Sequence, residues 1–389
     1  MISVAEALEH LFALARPLGS ETVPLLQAHG RVLAEDVAAT RDQPPFDGSA
    51  MDGYAVTEVA PGLRLRVIGE AAAGHGFDQT VKHGEAVRIF TGAPVPRGAK
   101  AVVIQEDVTR EGDWITIGDS PEDNTHIRPA GGDFRVGDRV RAGRVIGPND
   151  IALMAAMNVA EVPVARRPVV ALISTGDELV MPGETPGPDQ IIASNTMGLH
   201  ALMRDLGAEP RLLPIARDNE ASLRTAFELT KGADLIVTIG GASVGDHDVV
   251  ARLAPQLGFD QSFYKVAMRP GKPLMAGNFG EAMMIGLPGN PVSAMVCGHV
   301  FVAPVVRAML GLPAAAAPRK NAPLAEALPA NGPREHYMRA RFEGPGLVAF
   351  GSQDSSLLSI LGQADALIVR PPKDGPRAAG ETVEYLPIR

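Results

Sequence analysis

The sequence contains a single cysteine, Cys297, among 389 residues. One cysteine excludes an intrachain disulfide framework and favours a reducing, cytoplasmic compartment. We expect Cys297, which lies in the apolar segment AMVCGHVF, to be a buried packing residue. Residues 1–19 lack the basic start and the apolar centre of a signal peptide. Because no uninterrupted apolar run approaches membrane-spanning length, we predict a soluble cytoplasmic protein.

An excess of basic charge is also missing, since 45 acidic residues stand against 36 Lys and Arg. Nucleic acid and anionic membrane surfaces are therefore not expected as partners. The chain lacks the G-x-x-x-x-G-K-[ST] loop and the G-x-G-x-x-G fingerprint, which argues against a P-loop nucleotidase and a dinucleotide-dependent dehydrogenase. His75 has no second histidine at metal-ligand spacing and is predicted to be a solvated loop residue.

Short apolar runs alternate with helical patterns between residues 168 and 311. Strands are predicted at 169–174, 211–216, 234–239 and 282–287, and helices at 195–206, 220–230, 248–257 and 291–310. This alternation is typical of parallel βαβ units, so we predict a doubly wound, mostly parallel α/β core.

The rest of a chain this long must form further domains. The predicted organisation is a discontinuous elongated α+β domain (1–40 and 124–167), an inserted mainly-β domain (41–123), the α/β core (168–311), an Ala/Pro linker (312–323) and a small C-terminal β domain (324–389). A capping box at Ser3 and Glu6 should start the first helix. A second, short helix is predicted over residues 27–34.

Polar loops follow the ends of the predicted core strands. They contain Asp177, Glu178, Asp218, a glycine loop with Asp246 and Asp248, and Pro288–Pro291. Any one of these loops is more simply an ordinary turn. Because the carboxyl ends of parallel strands share one edge, the loops together predict a ligand site there. Glycine loops before helices offer N–H groups to phosphate, and neighbouring carboxylates then require a divalent cation, most simply Mg²⁺.

Two segments outside these loops are weaker candidates. In the turn-rich loop at 41–60, Asp47 or Asp52 could face a ligand, or the loop could only hold Phe46 and Tyr54 in a core. Thr91, at the end of a predicted strand, is either an oxyanion ligand or part of a simple turn.

A hairpin is predicted over residues 263–279, turning at Pro270-Gly271. On an extended first arm, Lys265, Ala267 and Arg269 would share one face, with Lys272 just past the turn. These cations indicate an anion site, although surface cations on a hairpin are the simpler alternative.

Several long motifs resemble one family when they are taken together and in order. They are FDGSAMDGYAV (46–56), RIFTGAPVPRGAKAVVIQED (88–107), STGDEL (174–179), GGASVGDHD (240–248), VAMRPGKP (266–273) and LPGNPVS (287–293). The family is the molybdopterin molybdenumtransferases, which are similar to the C-terminal part of gephyrin. The resemblance covers nearly the whole chain.

The resemblance implies that molybdate and adenylylated molybdopterin react, with Mg²⁺ or a similar divalent ion, to give molybdenum cofactor and AMP. It also implies an elongated homodimer whose site lies between the core of one subunit and the 41–123 domain of the other. By motif, the implied catalytic and metal-binding carboxylates are Asp52, Glu178, Asp218 and Asp248. The implied substrate-binding residues are Thr91, Ser174, Gly176, Gly240, Gly241, Ser243, Gly245, Lys265, Arg269, Lys272, Pro288 and Pro291.

Two residues depart from the family pattern. Arg269 stands where lysine is frequent, which keeps the charge and changes the donor geometry. Ala242 replaces a bulkier residue, which affects packing more than chemistry. Two other functions remain open: a molybdopterin adenylyltransferase with a similar core, and a non-catalytic scaffold. The additional domains argue against the first, and the clustered carboxylates, destabilising without a ligand, argue against the second.

Overall fold

The structure is a computed structural model that describes residues 1–241 and 249–389. The chain divides into two compact units. The core unit comprises residues 1–21, 30–34 and 164–389, and the insert unit comprises residues 22–29 and 35–163. The finer division into five segments stays a prediction.

The helices of the described residues, in chain order, are α1 (Val4–Leu14), α2 (Pro148–Ala156), α3 (Asn195–Asp205), α4 (Glu220–Glu228), α5 (Val249–Leu253), α6 (Pro291–Cys297), α7 (Ala303–Met309) and α8 (Leu358–Leu361). Short 3₁₀ turns occur at Leu25–Gln27, Gln105–Asp107 and Ala254–Leu257, and a π-helical turn at Gly298–Val302.

The strands are β1 (Ser20–Pro24), β2 (Val37–Ala38), β3 (Gly48–Ser49), β4 (Gly53–Val56), β5 (Arg64–Ala71), β6 (Glu85–Ile89), β7 (Ala101–Ile104), β8 (Val108–Glu111), β9 (Trp114–Ile117), β10 (Ile127–Arg128), β11 (Arg139–Val140), β12 (Glu161–Ala165), β13 (Val169–Ser174), β14 (Leu179–Val180), β15 (Ile191–Ile192), β16 (Glu209–Leu212), β17 (Leu235–Ile239), β18 (Phe259–Tyr264), β19 (Met268–Arg269), β20 (Met275–Phe279), β21 (Ala282–Leu287), β22 (Lys320–Pro323), β23 (Glu335–Glu343), β24 (Gly346–Ala349), β25 (Ala366–Arg370) and β26 (Thr382–Pro387).

A six-stranded sheet in the order β16-β13-β17-β21-β20-β18 forms the centre of the core unit. The first four strands are parallel, β20 runs antiparallel to them, and β18, which is antiparallel to β20, runs in their direction again. Every residue of β13, β17 and β21 is buried, as expected for strands covered on both faces. The chain moves outward from β13 to β16 and then returns to β17 on the other side, which creates a topological switch point between β13 and β17.

Helices cover both faces of this sheet, which confirms the doubly wound α/β core. Leu235 and Val237 of β17 belong to the hydrophobic core that also holds α3 and α6. Ile236, between them, faces the other core together with Leu223 of α4 and Val250 of α5. This alternation follows from the two-residue period of a strand.

The start of the chain matches the sequence prediction at α1 and departs from it in the next segment. Ser3 Oγ accepts a hydrogen bond from Glu6 N–H at 3.1 Å, and Ser3 N–H donates to the Glu6 carboxylate at 2.7 Å. The predicted helix over 27–34 is wrong, because only a 3₁₀ turn at Leu25–Gln27 forms. Gly30 has φ +74°, and the Val32 carbonyl accepts from Ala165 N–H at 2.8 Å, so the chain pairs in an extended form.

The insert unit is built on a six-stranded sheet in the order β7-β4-β6-β5-β9-β8. The pairs β3–β10 and β2–β11 are further small ladders of this unit. The prediction of a mainly-β insert is confirmed, since β5 to β9 occupy much of residues 64–117.

The C-terminal residues form a sheet in the order β19-β23-β25-β26-β22, with β24 paired to β23. Its first strand comes from the core hairpin: Met268 and Arg269 pair in parallel with Glu335 and His336. The predicted extended arm is therefore wrong, because Lys265 adopts φ +68° and turns the chain away. Strand β22 takes the last four residues of the predicted linker.

Within the described residues, one stretch, Pro291–Met309, is long and apolar enough to cross a membrane. His299 and Arg307 interrupt it, so it does not contradict the expectation that no uninterrupted apolar run reaches that length. An 18-residue window of this stretch has a mean hydropathy of 1.6 and is 83% buried inside the fold, where Val296, Phe301 and Val305 belong to the main hydrophobic core. The segment therefore has the packing of a core helix. Cys297 is buried as predicted, and burial raises the pKa of its thiol.

Candidate active site

A cleft of about 730 Å³ opens at the carboxyl edge of the core sheet. The loops after β13, β17 and β21 all contribute to it, which is the convergence expected of parallel strands. Of the predicted site residues, Ser174, Gly176, Glu178, Asp218, Gly240, Gly241, Pro288 and Pro291 line this cleft. The cleft lies at the switch point of the sheet, where ligands bind in open α/β folds.

Gly240 and Gly241 of the cleft lie so close to neighbouring atoms that a side chain would not fit there. Gly240 has φ +92°, and a Cβ added there would lie 2.8 Å from the carbonyl oxygen of Thr175. Gly241, with φ +64°, would meet the Thr175 hydroxyl oxygen at 3.1 Å. A side chain at Gly240 would therefore collide with the end of β13, and one at Gly241 would collide with Val250, whose Cγ2 would lie 2.5 Å from the added Cβ.

The backbone N–H groups of Gly176 and Gly240 are not free to bind phosphate. Gly176 N–H donates to Ala216 O at 3.1 Å, and Gly240 N–H donates to Leu287 O at 3.1 Å. The expectation that these two amides are offered to phosphate is wrong, because both complete the hydrogen bonding at the ends of strands. These two glycines contribute to the cleft by lacking a side chain, which lets neighbouring groups pack closely against the backbone.

The two acidic loops beside the cleft are held together by hydrogen bonds. The Asp177 carboxylate accepts from Asp218 N–H at 3.1 Å, so Asp177 positions a loop. The Arg217 guanidinium donates to the carbonyl oxygens of Gly176 at 3.2 Å, Asp177 at 3.0 Å and Leu179 at 2.9 Å. Sequence reasoning missed Arg217, although its position directly before Asp218 was a usable signal.

The Glu178 carboxylate lies against the backbone of Gly176. A Cβ on Gly176, whose φ is +148°, would be 2.7 Å from Glu178 Cδ. Glu178 and Asp218 both line the cleft, so two of the predicted carboxylates share one site.

Asn195 was also missed by sequence reasoning. It stands at the start of α3 and lines the cleft. Its side-chain amide donates to Gly289 O at 2.7 Å and so fixes the Pro288–Pro291 loop from the opposite wall.

In the insert unit, Asp52 and Thr91 form a hydrogen-bonded pair. Asp52 Oδ1 accepts from both the backbone N–H and the hydroxyl of Thr91, each at 2.8 Å. The Thr91 amide, followed by its hydroxyl, lowers the pKa of the Asp52 carboxyl, which is therefore ionised at neutral pH. Asp47 has a structural role, because it accepts from Ala130 N–H at 2.8 Å. Tyr54 is buried, whereas Phe46 is 38% exposed.

The predicted cations lie on the hairpin tip and do not line the cleft. Lys265 Nζ lies 5.0 Å from the centre of the Tyr264 ring, Arg269 is exposed on β19, and Lys272 is exposed. Burial, followed by the charges of Arg269 and Arg370, lowers the pKa of His336 to about 4. The hairpin tip is therefore an electropositive region.

Part of the predicted site falls outside the described residues: Ala242, Ser243, Gly245, Asp246 and Asp248. Within residues 1–241 and 249–389, no group of three or more His, Cys, Asp or Glu side chains is arranged to hold a metal ion.

Family models match the chain in three consecutive segments. They are the MoeA N-terminal region (domain I and II) over residues 2–158, the "Probable molybdopterin binding domain" over residues 171–308, and the MoeA C-terminal region (domain IV) over residues 321–388.

Relatives of known name align over almost the whole chain. The molybdopterin molybdenumtransferase of Haemophilus influenzae is 36% identical, with 96% of this chain and 95% of the relative covered. Molybdopterin molybdenumtransferase 2 of Mycobacterium tuberculosis is 36% identical, with 99% of both chains covered. The molybdopterin biosynthesis moeA protein from Pyrococcus horikosii has a similar structure, with a TM-score of 0.87, 31% identity and 100% and 99% of the two chains covered. The resemblance in the sequence motifs is confirmed, and the chain belongs to the MoeA family of molybdopterin molybdenumtransferases.

Proposed function

We propose that this protein transfers molybdenum from molybdate to adenylylated molybdopterin, forming molybdenum cofactor and releasing AMP. The observation that carries the proposal is the cleft at the switch point, where Glu178 and Asp218 lie beside close-packed glycines. Cleavage of a phosphoanhydride needs positioning and charge neutralisation more than it needs a protein nucleophile. The cleft meets the need for positioning, and a divalent cation held by its carboxylates would meet the need for charge neutralisation.

A divalent cation, most simply Mg²⁺, fits the side chains of the cleft. Mg²⁺ is usually bound by one or two carboxylates together with substrate phosphates, and Glu178 and Asp218 supply two carboxylates at one site. When bound, the ion neutralises charge on the adenylyl phosphate. Asp52 and Asp248 are proposed as further carboxylates of the same site.

Molybdate is a tetrahedral dianion, and its oxygens need cationic side chains or hydroxyl groups as hydrogen-bond donors. We assign Lys265, Arg269 and Lys272 to this role. Thr91 would join them as a hydroxyl donor by exchanging the hydrogen bond that its hydroxyl makes to Asp52. The lowered pKa of His336 supports the assignment, because nearby arginine charge is one of its causes. Ser174, Gly176, Gly240, Gly241, Pro288 and Pro291 would shape the cleft around the nucleotide. Ser243 and Gly245, which lie outside the described residues, are proposed for the same role.

The active form is proposed to be a cytoplasmic homodimer in which a partner copy supplies Asp52 and Thr91. Met51, the neighbour of Asp52 in sequence, is 42% exposed, and Phe46 of the same loop is 38% exposed; both suit a surface that is covered on assembly.

The direct test is molybdate-dependent release of AMP from adenylylated molybdopterin by the purified protein. Release that requires molybdate is the expected result. If the protein instead makes adenylylated molybdopterin from ATP and molybdopterin, the adenylyltransferase alternative is correct. If it does neither, a scaffold role is favoured.

Removal of divalent cations should abolish this activity reversibly. With EDTA in excess we expect turnover to fall at least about tenfold, and added Mg²⁺ should restore it, because the carboxylates alone repel the phosphate. Circular dichroism of the treated protein serves as the control. Full activity after exhaustive chelation would contradict the proposed ion.

Gly240→Ala should damage the cleft more than the same change at a matched glycine. Gly183 has a nearly equal φ of +94° but nothing within 4 Å of an added Cβ, so it isolates backbone strain. We expect about 1 kcal/mol of lost unfolding free energy for Gly183→Ala and about 2–3 kcal/mol for Gly240→Ala, together with weaker AMP binding. Urea unfolding and calorimetric titration measure the two effects. Equal losses in the two variants would show that the contact with Thr175 is unimportant.

A further inference from the structure

A second cavity, of about 370 Å³, adjoins the cleft in the core unit. The two share Ser194 and Asn195 as lining residues. Asn195 also donates to the Pro288–Pro291 loop of the cleft. A ligand bound in the cleft would therefore lie next to this second cavity. We call it the side cavity below.

The walls of the side cavity are mainly apolar. Met295, Leu358, Leu361 and Ile388 line it, and a Cβ on Gly198 would lie 2.7 Å from the Met295 sulfur, so Met295 packs directly over the backbone of α3. Asp and Glu side chains are absent from this lining, which is entirely within the described residues. The cavity therefore does not suit a metal ion or a phosphate that needs one.

Besides Ser194 and Asn195, which it shares with the cleft, the side cavity is lined by two polar side chains, Arg389 and His299, and Arg389 is already engaged. The Arg389 guanidinium donates to Gly362 O and lies 3.7 Å from the Asp365 carboxylate. His299 is different: within the part of the chain that the structure describes, no hydrogen bond or ion pair to its ring is found. Burial lowers the pKa of His299, so the ring is neutral at pH 7 and offers one donor and one acceptor.

His299 is presented by the π-helical turn at Gly298–Val302. Ala303 N–H donates to Gly298 O, five residues back, and Pro304 has no N–H with which to continue the regular ladder. Such wide turns are uncommon and occur often at functional sites.

We propose that the side cavity receives the pterin ring of the substrate, with the imidazole of His299 hydrogen-bonded to the polar edge of that ring. This inference rests on the proposed function. A pterin is a flat heteroaromatic bicycle with donors and acceptors on its rim, which fits apolar walls and one neutral donor and acceptor. The nucleotide part of the same molecule then occupies the cleft.

The test compares two ligands that differ by the pterin part: adenylylated molybdopterin and AMP. For His299→Phe we expect the Kd of adenylylated molybdopterin to rise about tenfold, the usual size of one lost hydrogen bond in a buried site, and the Kd of AMP to stay unchanged. His299→Gln, which keeps a donor and an acceptor, should retain most of the affinity. Exposed His29, changed to glutamine, is the control.

A second variant approaches the side cavity from its opposite wall. Leu361→Trp should fill the space and cause the same selective loss, with His299 left unsubstituted. Unchanged binding of adenylylated molybdopterin in both variants, or an equal loss of both ligands, would overturn the assignment of the ring. The assignment would also be overturned if the wild-type protein bound adenylylated molybdopterin no more tightly than AMP. Wild-type protein that binds neither ligand would overturn the proposed function itself, and the inference with it.

Discussion

Glu178→Gln is expected to lower molybdate-dependent AMP release by about 100-fold or more while the protein stays folded. The change keeps the size of the side chain against Gly176 and removes its charge. Asp218→Asn should have a similar effect, because Asp218 lines the same cleft. Turnover at saturating substrate and the midpoint of thermal unfolding measure the two parts of the prediction.

Asp189→Asn is the matched control for these variants. Asp189 is exposed in the loop between β14 and β15 and does not line the cleft, so activity should remain within about twofold of wild type. Wild-type turnover in Glu178→Gln would remove Glu178 from the catalytic machinery. A large loss in Asp189→Asn would show that charge in general, and no particular carboxylate, sets the rate.

Mixing two inactive variants should restore activity if the site uses residues of two subunits. Asp52→Asn and Glu178→Gln each inactivate every site of their own homodimers. In a mixed dimer, one site combines the intact Glu178 of one subunit with the intact Asp52 of its partner. Random pairing makes half of the dimers mixed, so about 25% of wild-type activity per subunit is expected after co-expression.

The alternative arrangement gives a different result in the same experiment. If Asp52 and Glu178 of one chain served one site, no mixed dimer would contain an intact site, and activity would stay at the level of the single variants. Activity that tracks the fraction of mixed dimers, separated by two affinity tags, would support the shared site. A monomeric protein with full wild-type activity would contradict the proposed dimer directly.

Much of the core could be predicted from local sequence. The runs VVALIS and AMMIGL are almost wholly β-branched or aliphatic, and strands buried on both faces require that composition. Once those strands are parallel, the loops after them must meet at one edge, which is why Ser174, Glu178 and Asp218 line one cleft.

The wrong predictions concern segments whose conformation depends on contacts with residues far away in the sequence. Residues 27–34 have the spacing of a short helix, but Val32 pairs with Ala165, and no local pattern encodes a partner so far along the chain. Lys265 reads as an ordinary strand residue, whereas its φ of +68° breaks the predicted arm. The position of Arg217 beside Asp218 is visible in the sequence, but the three carbonyls that it binds come from a loop about 40 residues earlier and could not be predicted from it.

The glycines of the cleft show a limit of motif reasoning. A glycine before a helix indicates a phosphate-binding amide only when that amide is unoccupied, and the sequence does not report its occupancy. Gly176 and Gly240 both line the cleft, but their amides donate within the fold, so the motif does not report what these two residues contribute.

Strand β19 makes the sequence boundary near residue 320 a poor place to cut the protein. A fragment ending there would keep Met268 and Arg269 but lose Glu335 and His336, the residues with which they pair. The complementary fragment, 320–389, would expose a bare strand edge that invites aggregation. The hairpin that carries Arg269 and Lys272 is therefore anchored by residues more than 60 positions downstream. If the α/β core were produced alone, that hairpin would lose the strand with which it pairs.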